Sequence, residues 1–228
     1  MKPFARCGVL ALVAMLGSTG CIKKTLLKGQ IAGTREASAA IDTLGDYEVA
    51  RTIAYAGMGQ LEGMSYLAHG EDANALFMLT KGWSGLAFAF IEDEYEQAVD
   101  ADDDELADYH KKRARTAYDR ALDNGVKLLE LRAPGFEKAR QNQESIKAYV
   151  RQFDDAADAT TLLWVGQAWL GRVNVAKDDP SVVGELFVGV AMIERSVELD
   201  DKVFWGLGHT ILGAYHARTG MAELDEAK

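Results

Sequence analysis

Leu76-Phe77-Met78-Leu79-Thr80-Lys81-Gly82-Trp83-Ser84-Gly85 has two echoes further along the chain. Trp83-Ser84-Gly85 aligns with Trp169-Leu170-Gly171 and with Ile211-Leu212-Gly213, at successive shifts of 86 and 42 residues. Around these anchors Leu76-Phe77 aligns with Leu162-Leu163 and with Phe204-Trp205. A shift near 43, with 86 as its double, is the mark of stacked helix pairs. The expected fold is all-α: a helical-repeat solenoid, closed by Lys202–Thr219 as a terminal cap. Glycine inside a helix costs about 1 kcal/mol relative to alanine. Its recurrence here is expected where two helices approach closely.

Working outward, the chain contains only three prolines, and few runs alternate in the manner of a strand. Lys24–Leu44 reads as a first, weakly patterned helix. Gly45-Asp46 is a break and an N-cap, after which Val49, Ile53, Leu61, Met64 and Leu67 carry an apolar stripe to about Ala68. His69-Gly70-Glu71-Asp72 is a turn. Ala73–Gln97 is apolar on more than one face, as in a helix covered on both sides. The acidic segment Asp100–Glu105 caps a helix running to about Leu131, which Ala133-Pro134-Gly135 stops. One or two short helices lie between Phe136 and Val150, then Asp158–Ala176 is helical. Lys177-Asp178-Asp179-Pro180 turns the chain into Ser181–Leu199, with Ser181 as the expected cap.

The first twenty residues have the layout of a secretory leader. Lys2 and Arg6 are the positive end, Gly8 to Leu16 is apolar, and Gly17-Ser18-Thr19-Gly20 is a small-residue exit. The apolar run is about half the ~20 residues that a membrane-spanning helix needs, so it reads as a cleaved signal. Ser18-Thr19-Gly20-Cys21 resembles the bacterial lipobox, which makes Cys21 the expected acylated N-terminus. Ser18 stands where lipoboxes usually carry leucine, so ordinary signal cleavage is the alternative. Cys7 leaves with the leader, and no intramolecular disulfide can then form. Two or more acyl chains anchor stably where one is marginal. Ile22, which is not aspartate, points by resemblance to the outer membrane, with residues 21–228 as a single periplasmic domain.

Losing Lys2 and Arg6 takes the net charge from −10 to −12. Such an acidic domain repels phosphate backbones, and nucleic-acid binding is not expected. The acidic run fails as a calcium loop, because the positions that need glycine and an acid hold Glu105 and Lys111. His209 and His216 lie on one helix face but about 10 Å apart along the axis, too far for one metal ion. No metal and no cofactor is expected. Gly57-Met58-Gly59-Gln60-Leu61-Glu62-Gly63 lacks the dinucleotide fingerprint and its preceding strand, and reads as a helix-packing face. Ser84 is not in a nucleophile elbow. No catalytic residues are expected.

The remaining signal is aromatic. Trp83, Trp164, Trp169 and Trp205 fall in the first helices of the repeats, with Phe88, Phe90 and Tyr215 nearby. First helices line the concave face of solenoids. The expected cleft or ligand lining is therefore Trp83, Phe90, Trp164, Trp169, Trp205, His209 and Tyr215, although ordinary packing between helices would also place tryptophans there. Apolar or peptidic ligands suit such a lining.

Ser196-Val197-Glu198-Leu199-Asp200-Asp201 resembles the end of a tetratricopeptide second helix, and Leu212-Gly213-Ala214-Tyr215 through Gly220 the next first helix. Four further stretches resemble the T-component (TatT) lipoproteins of TRAP transporters (tripartite, ATP-independent, periplasmic). They are Gln60-Leu61-Glu62-Gly63; Ala114-Arg115-Thr116-Ala117-Tyr118-Asp119-Arg120-Ala121-Leu122 with Pro134-Gly135-Phe136; Leu163-Trp164-Val165-Gly166-Gln167-Ala168-Trp169 into Asp178-Asp179-Pro180; and Met192-Ile193-Glu194-Arg195-Ser196-Val197-Glu198-Leu199-Asp200 before Gly206-Leu207-Gly208-His209. The resemblance implies a tetratricopeptide-like lipoprotein with a cleft or pore, a hydrophobic small ligand, and the periplasmic substrate-binding P-component as partner. It also implies a homo-trimer. The rival reading is an envelope scaffold or assembly lipoprotein that works through protein–protein contacts alone.

Overall fold

Asp46, Asp103, Asn142 and Asp179 each accept a hydrogen bond from a backbone N–H two or three residues on, and each begins a helix. The computed structural model describes residues 22–226. The leader 1–20 and Cys21 lie outside the described residues. The elements are α1 (22–37), a 3-10 turn Ser38–Thr43, α2 (Tyr47–Leu67), α3 (Ala73–Leu86), a π-helical stretch Ala87–Ile91 and α4 (Glu92–Asp100). Then follow α5 (Asp104–Arg132), α6 (Phe136–Ala139), α7 (Gln143–Val150), α8 (Asp158–Val175), α9 (Pro180–Val183), α10 (Leu186–Leu199) and α11 (Val203–Glu226). Among the described residues there is no strand, and no helix is long and apolar enough to cross a membrane.

The helices gather into two compact units, one ending at Ala75 and one beginning at Leu76. In the first, α1 carries Ile31, which is fully buried, and Arg35 donates to the Asn74 side chain at 2.6 Å. Helix α2 ends in a Schellman arrangement: Gly70 N–H reaches Ser65 O, His69 N–H reaches Tyr66 O, and His69 takes the left-handed backbone. Asp72 then accepts from Asn74 and Ala75 and starts α3.

The second unit is built around α8, which packs against both α5 and α10. This helix is apolar nearly all round and buries Leu162, Leu163, Trp164, Val165, Ala168 and Trp169 among others. Two close approaches need glycine. A Cβ on Gly166 would meet Ile193 Cδ1 at 2.8 Å and Gly189 O at 3.1 Å, where α8 crosses α10. A Cβ on Gly171 would overlap the Tyr118 ring of α5. Consecutive helices also pack on one another, α4 on α5 and α10 on α11. The turn from α4 to α5 repeats the Schellman device with left-handed Asp102, after which Asp103 caps α5.

Several expectations need correction. Helix Ala73–Gln97 continues to Asp100 but is interrupted by the π-helical stretch, which buries Ala87, Phe90 and Ile91. The cap before Ser181 is Asp179, with Pro180 at the first helical position, where its missing N–H is no loss. Ser181–Leu199 breaks at Gly184-Glu185. Gly57, Gly59 and Gly63 do not form a packing face among the described residues, since a Cβ on any of them would meet nothing within 4 Å. Finally, Phe204-Trp205 does not occupy helix as Leu162-Leu163 does. Phe204, Trp205 and Gly206 are left-handed in succession, with φ of 49°, 55° and 77°.

Candidate functional site

The left-handed turn brings two of the sequence-predicted aromatics together. For a side chain larger than glycine this backbone costs roughly 1–2 kcal/mol per residue, so tertiary contacts must hold it. Phe204 supplies them: its ring stands edge-on to Trp164 of α8, with centroids 4.9 Å apart and planes at 81°. Trp205 also stands edge-on to Phe204, with centroids 4.9 Å apart. Lys81 of α3 places its Nζ 4.8 Å from the Phe204 centroid and 5.7 Å from that of Trp164. The Trp164 indole is buried and its Nε1 has no hydrogen-bond partner, whereas Trp205 is 73 % exposed. The result is a ladder of rings from core to surface, with a cation beside it. Such a ladder can grip an apolar or aromatic group presented from outside.

The other predicted residues are dispersed. Trp169 is buried, packs edge-on against Phe136 at 5.6 Å, and borders a groove of about 430 Å³ between α5, α6 and α8. Over that groove Glu185 is held by Arg140 at 2.8 Å and Arg172 at 3.1 Å. Trp83 is half-buried on α3, and Phe90 is buried in the π-helical stretch. His209 is exposed on α11; Tyr215 is half-buried with its ring 5.1 Å from that of His216. Among the described residues no three His, Cys, Asp or Glu side chains gather where a metal ion could sit.

One polar cluster lies outside the sequence expectations. Glu92, just past the π-helical stretch, accepts from the Tyr118 hydroxyl through one carboxylate oxygen and from Asn174 through the other, at 3.0 Å. Burial pushes the Glu92 carboxyl above its ordinary value, and the two donors only partly oppose this. Burial and the neighbouring Glu92 charge hold the Tyr118 phenol far above its usual range, so it remains a donor. These residues lie 26 and 82 positions apart, and no local pattern signals the pairing. The aromatic partner that the sequence reading missed, Phe204, had only a weak local signal, the glycine at Gly206 that follows Phe204-Trp205.

The raised Glu92 value has a pH consequence. A carboxyl whose folded value exceeds its unfolded one stabilises the fold most fully below the ordinary value of 4.5. That contribution is lost as the pH climbs through the raised value. Urea unfolding of the wild type and Glu92→Gln, followed from acid to neutral pH, should therefore show the wild type losing ground to the variant as pH rises. A stability difference independent of pH would contradict it.

No curated protein and no solved structure matches the chain. The family model described as TRAP transporter T-component matches residues 45–222, from the break before α2 to well into α11, and so takes in the aromatic turn and the Glu92 cluster. With most of its length inside that match, the chain belongs to the TRAP transporter T-component family, accessory proteins of tripartite ATP-independent periplasmic transport.

Proposed function

We propose that this T-component is a lipoprotein, acylated at Cys21 and facing the periplasm from the outer membrane, that docks the P-component and receives a hydrophobic ligand. The acyl tether would raise the local concentration of the partner, and a preformed recess would need no ordering on binding. Helices that pack on their chain neighbours support a tetratricopeptide-like solenoid. On α2, Val49, Ile53, Tyr66 and Leu67 are exposed, which supports self-association, with a trimer as the expected form.

The observation that carries the docking role is Trp205: a large aromatic side chain, 73 % exposed, on a backbone that disfavours it. Strain of this kind persists at binding sites more than elsewhere. Trp205→Asn tests it, because asparagine tolerates the left-handed region. The variant should match or exceed wild-type stability by about 1 kcal/mol. It should also lose roughly 30-fold in affinity for the P-component, the scale of a tryptophan hot spot. Co-purification from detergent extracts and a titration would read the two effects. Unchanged affinity in a folded variant would remove Trp205 from the interface. Failure of the wild type to retain the P-component under crosslinking would remove the docking role itself.

A further inference from the structure

We propose that the recess between the first turns of α1 and the α2–α3 turn binds a small organic monoanion, a carboxylate borne on a short aliphatic chain. About 550 Å³ is enclosed there, a volume typical of small-molecule sites. Lys23, Lys24 and Lys28 line it from α1, and Glu71 and Asp72 line it from the turn. Every lining residue belongs to the unit that ends at Ala75. The site shares no residue with the aromatic turn, and it depends neither on docking nor on acylation.

The helix turns these lysines toward the recess. Lys23, Lys24, Leu27 and Lys28 share the face of α1 that carries the fully buried Ile31, while the exposed Ile22 and Leu26 are on the opposite face. Lys23 and Lys24 run against local preference, since the first turn of a helix favours acids. From Ile22 to Arg35 the chain nevertheless carries four cations and no acid. The lysines are not needed to close α2 either, because its last carbonyls accept the N–H groups of Ala68, His69 and Gly70. Among the described residues none of the three ammonium groups has an ion-pair partner. Asp72 already accepts the N–H groups of Asn74 and Ala75 through one carboxylate oxygen. Three cations against two carboxylates leave one positive charge, which a single carboxylate balances. Leu27, Leu67 and Ala68 supply an apolar wall. Each methylene taken out of water against it tightens binding about 4-fold.

Octanoate is the probe, added to the full protein as extracted from cells. Lysines are acetylated with an N-hydroxysuccinimide ester, and the extent at each site is read by mass spectrometry. Octanoate should protect Lys23, Lys24 and Lys28 and leave the exposed Lys112 and Lys138 of the other unit unprotected. Acetate and octyltrimethylammonium at the same concentration should protect none of them. Lys23→Gln, Lys24→Gln and Lys28→Gln combined change only exposed side chains, so the fold is retained. They should weaken octanoate binding, followed by titration calorimetry, by roughly 10-fold or more. Absent protection overturns the proposal, as does protection that extends equally to Lys112 and Lys138. Equal protection by the quaternary ammonium removes the role of the cations, and equal protection by acetate removes that of the apolar wall; either result overturns it. The Trp205→Asn titration against the P-component reports on docking separately.

Discussion

Phe136→Ala should destabilise the unit that begins at Leu76 by about 4 kcal/mol, within the range for emptying a buried aromatic site. Phe136 is fully buried and meets two other rings edge-on, Tyr149 at 5.7 Å and Trp169 at 5.6 Å. Its position is fixed from the backbone as well. Gly135 is left-handed at φ 111°, and the Glu130 carboxylate accepts the N–H groups of both Gly135 and Phe136. The surrounding rings are thus held by their own helices and cannot collapse into the space. Tyr149 in particular is tied by its hydroxyl to Ala133 O at 2.6 Å. Thermal unfolding should fall by roughly 8–16 °C for a domain of this size. Phe136→Leu, which keeps most of the volume, should cost about 1.5 kcal/mol or less. A loss below about 1 kcal/mol for the alanine variant would mean that this aromatic cluster is not close-packed.

Gly171→Ala should act against the usual helix scale. In an open helix the change gains about 1 kcal/mol, and Gly59→Ala on α2, with nothing within 4 Å of the new Cβ, should behave that way. At Gly171 the same carbon overlaps the Tyr118 ring, which is itself fully buried. Either α8 moves off α5 or Tyr118 leaves Glu92, and overpacking of this kind costs up to about 3 kcal/mol. If Tyr118 gives way, the Glu92 carboxyl loses a donor while remaining buried, so the pH dependence assigned to Glu92 should change in the same variant. Opposite signs for the two alanine substitutions in urea unfolding are the expected result. Equal effects at both sites would show that α5 and α8 are not in close approach at Gly171.

How much was legible in the residues depends on how local the cause is. Asp46 as a cap, the capping segment Asp100–Glu105, the stop at Ala133-Pro134-Gly135 and the turn Lys177-Asp178-Asp179-Pro180 are decided within a few residues, by side chains that satisfy free N–H groups or remove one. Trp83-Ser84-Gly85 and Trp169-Leu170-Gly171, which the sequence aligned with each other, both lie in helix, but only Gly171 of their two glycines stands at a close helix approach. The third copy misled at Phe204-Trp205, because two aromatics beside a glycine have no intrinsic preference for a left-handed turn. Contacts with Trp164 and Lys81 hold them there. The π-helical stretch was hidden for a related reason: a run apolar at every position fits any helical register.

The residues alone were enough for the all-helical class and the acidic character, which follow from composition and short-range spacing, and for the family likeness, which rests on four ordered stretches that resemble it. Only the folded chain could decide that Trp205 stands outside on a strained turn while Trp164 and Trp169 are enclosed. The same holds for Glu92, which shares its carboxylate between Tyr118 and Asn174. Those outcomes depend on which helix faces meet, and the crossing of α8 with α5 and α10 is set by side-chain volumes brought together from distant parts of the chain.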